Sequence, residues 1–164
     1  MRILGIDASL RSTGYAVIEA NGNELRAATF GRIHNQPKLL PSRCLLKIFE
    51  ELQQLIREQR PDALAVEGLA YVQNQRIALT LGQARGAVIL AAAAAGLPVY
   101  EYAPRKVKQA VVGVGTAQKR QVGSMVKALL NLQEIPPEDA ADALAIAICH
   151  AQNCQSVVNP QKPI

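Results

Sequence analysis

Tryptophan is absent, and aromatic residues are scarce: two Phe and four Tyr in 164 residues. A core wedged together by large rings is therefore excluded. With 49% of the chain hydrophobic, the core must be aliphatic, built from Ala, Leu, Val and Ile. Cysteine is also rare. Cys44, Cys149 and Cys154 show neither paired metal-ligand spacing nor a disulfide framework. An odd count without a secretory signal fits reduced thiols and a cytoplasmic location. The opening "MRILGID" is charged too early for a signal peptide. The run "GAVILAAAAAGLPVY", bounded by Arg85 on its N-terminal side and broken by Pro98, is expected to be too short to span a bilayer, so no membrane partner is expected. Repeats and composition breaks are lacking as well. One domain over residues 1–154 is expected, with a flexible tail over 155–164.

Acid is missing from one long stretch. From Tyr102 to Gln133 there is no Asp or Glu, but Arg105, Lys106, Lys108, Lys119, Arg120 and Lys127 all fall there. A solvated helix usually mixes signs, so this bias suits contacts to phosphate. Any single lysine of the group reads equally well as solvated surface. The net charge of +5 is compatible with a polyanionic partner and does not by itself require one.

Hydrophobic spacing sets the element order. "RILGID" is a short buried strand ending in an acid, Arg2 to Asp7. Two alternating runs flank "NGN", Asn21 to Asn23, a hairpin signal. "PSRCLLKIFEELQQLIREQ" has helical period and stops before Pro61. "DALAVEG" repeats the first strand's form. "NQRIALTLGQARGAVILAAAAAG" is a helix closed by Gly96. "LPVYEY" is a fifth strand. Helices follow over Pro104–Val112, Ala117–Asn131 and from Glu138 to Cys154. The result is an α/β fold: a mixed five-stranded sheet with helices on both faces and the first and fourth strands parallel at its centre.

That arrangement brings acids to one edge. Asp7 and Glu67 end the two central strands, where open α/β sheets bind ligands. Asp139 and Asp142 are three apart in the first turn of the last helix and share a face. Four carboxylates together demand a counter-cation, and Mg²⁺ is the hard ion that pairs carboxylates with phosphate oxygens. Two ions roughly 3.5–4 Å apart would clamp a phosphodiester. Ordinary roles remain open for each acid alone. Asp139 and Asp142 also suit the helix macrodipole, and Asp7 suits a turn. Glu67 resists such a reading, because "ALAVEG" embeds it among buried strand residues. His34 and His150 carry no metal or catalytic expectation.

"GID", "TGYAVIE", "AVEGLAYVQN", "LGQARGAVILAA", "VYEYAPRKVKQAVVGVGTAQKRQV" and "DAADALAIAICH" occur in this order, from Arg2 to about His150. Together they closely resemble the RuvC family of bacterial Holliday junction resolvases. The resemblance implies an RNase H-like fold and a homodimer. It implies Mg²⁺-dependent hydrolysis, nicking opposed strands of a four-way DNA junction and leaving 5′-phosphate and 3′-hydroxyl ends. Asp7, Glu67, Asp139 and Asp142 match the catalytic, metal-holding acids. Two Mg²⁺ per site are implied, with Mn²⁺ as a substitute. Lys108 and Lys119 match lysines near the scissile phosphate, and Arg105, Lys106 and Arg120 are further DNA-contact candidates. A branch-migration complex is an implied partner.

Two positions depart from the family. Ala8-Ser9 stands where Pro-Gly is usual, so the loop beside Asp7 is expected to run differently or more loosely. Ala70 stands where an aromatic is usual, with Tyr71 next to it. A ring there could stack on an unpaired base, worth roughly 1–3 kcal/mol. Cut-site preference is therefore left open. Gly82, Gly86 and the alanines around them make a thin helix suited to close approach, and the resemblance makes it a dimer face. The alternatives are another RNase H-like nuclease, such as one acting on RNA in hybrids, or a catalytically impaired junction-binding protein. The actin-like ATPases also begin with "GID", but they need two such domains.

Overall fold

The computed structural model describes residues 1–68, 74–154 and 162–164. Five strands form one sheet: β1 (Arg2–Asp7), β2 (Ser12–Asn21), β3 (Glu24–His34), β4 (Ala63–Glu67) and β5 (Val99–Tyr102), in the order β3-β2-β1-β4-β5. β1, β2 and β3 form an antiparallel meander, while β1–β4 and β4–β5 are parallel. The expected mixed sheet, with the first and fourth strands adjacent, is therefore observed.

The Asn-Gly signal forms the β2–β3 hairpin. Gly22 takes a φ of 58°, a left-handed conformation that glycine adopts at no steric cost. The hairpin register shifts by one residue between Val17 and Ile18, a β-bulge. Beyond it, Gly14 lies opposite Arg32 and Ser12 opposite His34.

Strand alternation divides the core into two layers. Leu4, Ile6, Val17, Leu64 and Val66 meet α1 (Pro41–Gln59) and α2 (Gln75–Ala94). Ile3, Ala16, Ile18 and Ala65 meet α5 (Glu138–Cys154) on the opposite face. α1 buries Cys44, Ile48, Leu52 and Ile56, a four-residue repeat that draws one stripe along the helix. Pro41 opens it, and Arg60 ends it in the left-handed region just before Pro61. α3 (Pro104–Val112) and α4 (Lys119–Leu129) pack against α5. α4 is shorter than the expected Ala117–Asn131, because Gln118 and Gln121 form a reciprocal cap at its start.

α2 corrects one expectation. By length and composition alone it could cross a membrane: 20 residues, with a mean hydropathy of 1.5. Its alanines, leucines, isoleucines and valine outweigh Arg76 and Arg85, which interrupt them. Here it packs on α1 through Ala84, Val88, Ala91 and Ala92, and Arg85 pairs with Glu101 of β5. Residues 155–161 of the expected tail lie outside the described residues. Ile164 donates its amide to the Val99 carbonyl at 2.9 Å.

α5 is held unusually close to the sheet. A Cβ on Gly5 would fall 2.2 Å from the Ala143 carbonyl oxygen, and one on Gly14 would fall 2.0 Å from that of Asp139. At the other end, the buried Tyr102 hydroxyl meets His150 Nδ1 at 2.8 Å and ties β5 to α5. Burial pushes the His150 imidazole down to about 4, so it stays neutral. Because helix backbone cannot yield as a side chain can, Gly5→Ala should destabilise the fold by at least ~2 kcal/mol. Urea unfolding would measure this as a lower midpoint with an unchanged slope.

Candidate active site

β1 and β4 run parallel, with Ile6 beside Val66, so the next residues, Asp7 and Glu67, end at the same sheet edge. β2 starts at that edge and β3 finishes there, since Asp7 lies opposite Gly14 and Gly14 opposite Arg32. The first turn of α5 covers Gly14 and delivers Asp139 and Asp142. Four acids from three elements thus share one rim, as the sequence pattern implied.

Burial and their mutual repulsion make ionisation of these acids costly. Burial first, then the charge of Asp142, pushes Asp7 up to about 6. Burial and then Asp7 push Glu67 up to about 7. Asp142 is also raised, mainly by burial, while Lys119 opposes the shift. Lys119 Nζ bonds Glu138 and reaches Asp142 Oδ2 at 3.3 Å. These bonds, Glu138 first, hold the Lys119 ammonium above its ordinary range. Lys119 and Glu138 are both 65% exposed, so their pair adds little stability. Lys108 lies near enough to Glu67 to ease its ionisation.

Among the described residues, no three His, Cys, Asp or Glu side chains are drawn closely enough together to coordinate one ion. The acids converge without closing, and an ammonium sits against Asp142 and Glu138. The donor chemistry still fits hard divalent cations: all-oxygen, anionic, half-buried and carrying mutual repulsion that a cation would relieve. A groove of about 780 Å³ lies elsewhere, between the β2–β3 hairpin and the end of α4, and holds none of the four acids.

The other expected contacts are spread out. Arg105 and Arg120 are exposed, and Arg120 lines a shallow groove with Lys119, Glu138 and Asp142. Lys106 is turned to the Tyr102 ring, 5.2 Å from its centre. Ala70 and Tyr71 lie outside the described residues. The loop carrying Ala8-Ser9 is held in place. The buried Thr13 hydroxyl donates to the Ser9 carbonyl at 2.6 Å.

Two side chains at the rim were not anticipated. Ser12 donates its hydroxyl to Asp139 Oδ2, and Arg32 Nη1 stands 3.9 Å from the same oxygen. The bulge hid Arg32. Counted straight back from Asn-Gly, the register would put Gly31 opposite Gly14 and turn Arg32 to the other face.

The family model described as "Crossover junction endodeoxyribonuclease RuvC" matches residues 3–150. The chain belongs to the RuvC family. A RuvC from Geobacter sulfurreducens is 54% identical over 153 residues, covering 93% of each chain. One from Brevibacillus brevis is 50% identical, over 93% of this chain and 92% of that one. Among solved structures, Thermus thermophilus RuvC in complex with a Holliday junction substrate superposes with a TM-score of 0.90 at 32% identity, over the whole of both chains. The RNase H-like fold expected from the resemblance is that of this RuvC. The yeast mitochondrial Holliday junction resolvase shares the fold at 14% identity, with a TM-score of 0.67.

The raised acids fix the sign of one pH effect. A carboxyl that binds its proton more tightly when folded lends stability at low pH. That stability is lost as pH rises, from 3.8 through about 6 for Asp7 and from 4.5 through about 7 for Glu67. A divalent cation replaces those protons. The melting-temperature gain from added Mg²⁺ or Mn²⁺ should therefore be small near about pH 5 and grow steadily to about pH 8. Differential scanning calorimetry with and without the cation measures it.

Proposed function

We propose that this chain is a structure-specific endodeoxyribonuclease that resolves four-way DNA junctions by paired nicks on opposed strands. The observation that carries this reading is the convergence of Asp7, Glu67, Asp139 and Asp142 on one rim of a RuvC fold. Residues 1–154 form the nuclease domain, acting in the cytoplasm.

The four carboxylates hold divalent cations, with Mg²⁺ the favoured species, two ions per site and Mn²⁺ able to replace it. When bound, the ions activate a water and polarise the scissile phosphate. Asp7 and Glu67, side by side on rigid strands, fix the position of the cut phosphate. Asp142 and Asp139 complete the ring from α5. Lys119, held at Glu138 and Asp142, would turn its charge to the phosphate, with Lys108 beside Glu67. Arg105, Arg120 and Lys106 add backbone contacts, and their strength falls with salt. The products carry 5′-phosphate and 3′-hydroxyl ends. Tyr71 is the candidate for stacking near the junction centre. A branch-migration complex would deliver the junction.

Two opposed nicks need two rims, which favours a homodimer. Gly82 and Gly86 of α2 meet no atom within 4 Å of a built Cβ, and Leu79 and Leu90 are 69% and 60% exposed. These four residues share one helix face with room for a second backbone. Leu90→Glu should shift the chain to monomer at micromolar concentration in sedimentation velocity and slow paired nicking more than single nicking. An unchanged dimer would refute this face.

The activity is tested by nicking a synthetic four-way junction, a linear duplex and an RNA–DNA hybrid, each with and without Mg²⁺. Cleavage of the junction alone is expected. Asp7→Asn should bind the junction normally and cut it at least ~10³-fold more slowly. Preference for the hybrid would instead favour another RNase H-like activity. Tight junction binding with no cleavage by the parent chain would favour the impaired-binder alternative.

A further inference from the structure

The cations around the acid rim are unevenly distributed. Lys108 and Lys119 act from α3 and the start of α4. On the far side, beyond Asp139, stands Arg32 of β3. We propose that Ser12 and Arg32 form a clasp around Asp139 with two separable duties: Ser12 orients the carboxylate as an ion ligand, and Arg32 contacts a backbone phosphate of the DNA strand entering the rim. The Ser12 duty rests on the metal role proposed above for Asp139.

The placement comes from the sheet. Ser12 and Gly14 are two apart on β2, and Gly14 lies opposite Arg32, so all three side-chain positions share the face that meets α5. With no side chain at Gly14, the Asp139 backbone settles directly onto the strand. Its carboxylate is then bracketed, with Ser12 on one flank and Arg32 on the other. Both partners meet Oδ2, and Oδ1 carries no hydrogen bond among the described residues. A ligand carboxylate anchored through one oxygen keeps the other for an ion. Such outer partners typically govern metal affinity by roughly 10–100-fold.

Arg32 plays a different part. At 3.9 Å from Oδ2 it lies beyond hydrogen-bond reach, so Asp139 uses none of its donors. Its side chain is 58% exposed and makes no hydrogen bond among the described residues. As a surface ion pair alone it would contribute little stability. As a planar fork of donors waiting beside an acid, it suits a phosphate. From β3 to β4 is three inter-strand steps, roughly 14 Å. A single DNA strand crossing that span would meet Arg32 first, the acids next and Lys108 last.

The test uses the full chain and four variants: Ser12→Ala, Ser12→Thr, Arg32→Gln and Asp139→Asn. Mn²⁺ binding is read as the concentration giving half the maximal thermal shift without DNA. Junction binding is read by anisotropy with a labelled four-way junction across a salt series in Ca²⁺. Ser12→Ala should raise the Mn²⁺ midpoint roughly 10–100-fold and leave junction affinity unchanged, with Ser12→Thr restoring the parent midpoint. Arg32→Gln should weaken junction binding roughly five- to tenfold at low salt, lower the salt slope by about one phosphate and leave the Mn²⁺ midpoint no weaker. A Ser12→Ala midpoint equal to the parent's, where Asp139→Asn shifts it, overturns the Ser12 duty. An unshifted Asp139→Asn midpoint overturns the metal role beneath it. An unchanged salt slope in Arg32→Gln overturns the phosphate contact.

Discussion

The fit of one helix against bare backbone governs this molecule. α5 rests on β1 and β2 at Gly5 and Gly14, closer than any side chain would permit. That approach brings the helix start, with its acids, over the ends of strands that carry acids of their own. Had either glycine been larger, the helix would stand off and Asp139 would leave the rim. The aliphatic layer from Ala143 to Ala147 serves the same end, since small residues let helix and sheet meet along their length.

The close fit sets up an electrostatic conflict. Asp7 and Glu67 each repel the other, and both lie within the field of Asp142. Half-burial denies them the full screening of water. The chain answers locally with Lys119 and Lys108, and with Ser12 and Arg32 around Asp139. None of these partners neutralises the group entirely. A protein built for stability alone would replace such acids with apolar residues. Holding them in tension makes chemical sense where cations and a phosphate arrive together and relieve it.

Much of this was legible in the sequence, for definite physical reasons. The five strands and the helix starts followed from residue period and from Pro and Gly punctuation, which act locally. Asp7 and Glu67 could be placed because two strands of the same form, each ending in an acid, imply parallel neighbours. Asp139 and Asp142 followed from a three-residue spacing on one helix. Lys106 was less legible. Its neighbours in sequence suggest phosphate, whereas its side chain lies over Tyr102, and only the packing of α3 on β5 decides that. Ser12 and Arg32 were illegible because their meeting with Asp139 depends on pairings far apart in the chain. The transmembrane-like composition of α2 was underestimated because the apolar run was taken to begin only after Arg85, whereas the helix extends back to Gln75.

The irregularity between Val17 and Ile18 has a consequence for how this hairpin can change. One extra residue in β3 switches which residues look towards α5 on the far half of the ribbon. Single substitutions in β3 leave that parity intact. Straightening the bulge at unchanged length would send the guanidinium to the opposite side and bring Gly31 in its place, whereas deleting the extra residue together with the bulge would leave Arg32 opposite Gly14. The bulge and the count of residues between turn and rim must therefore match for the guanidinium to reach Asp139.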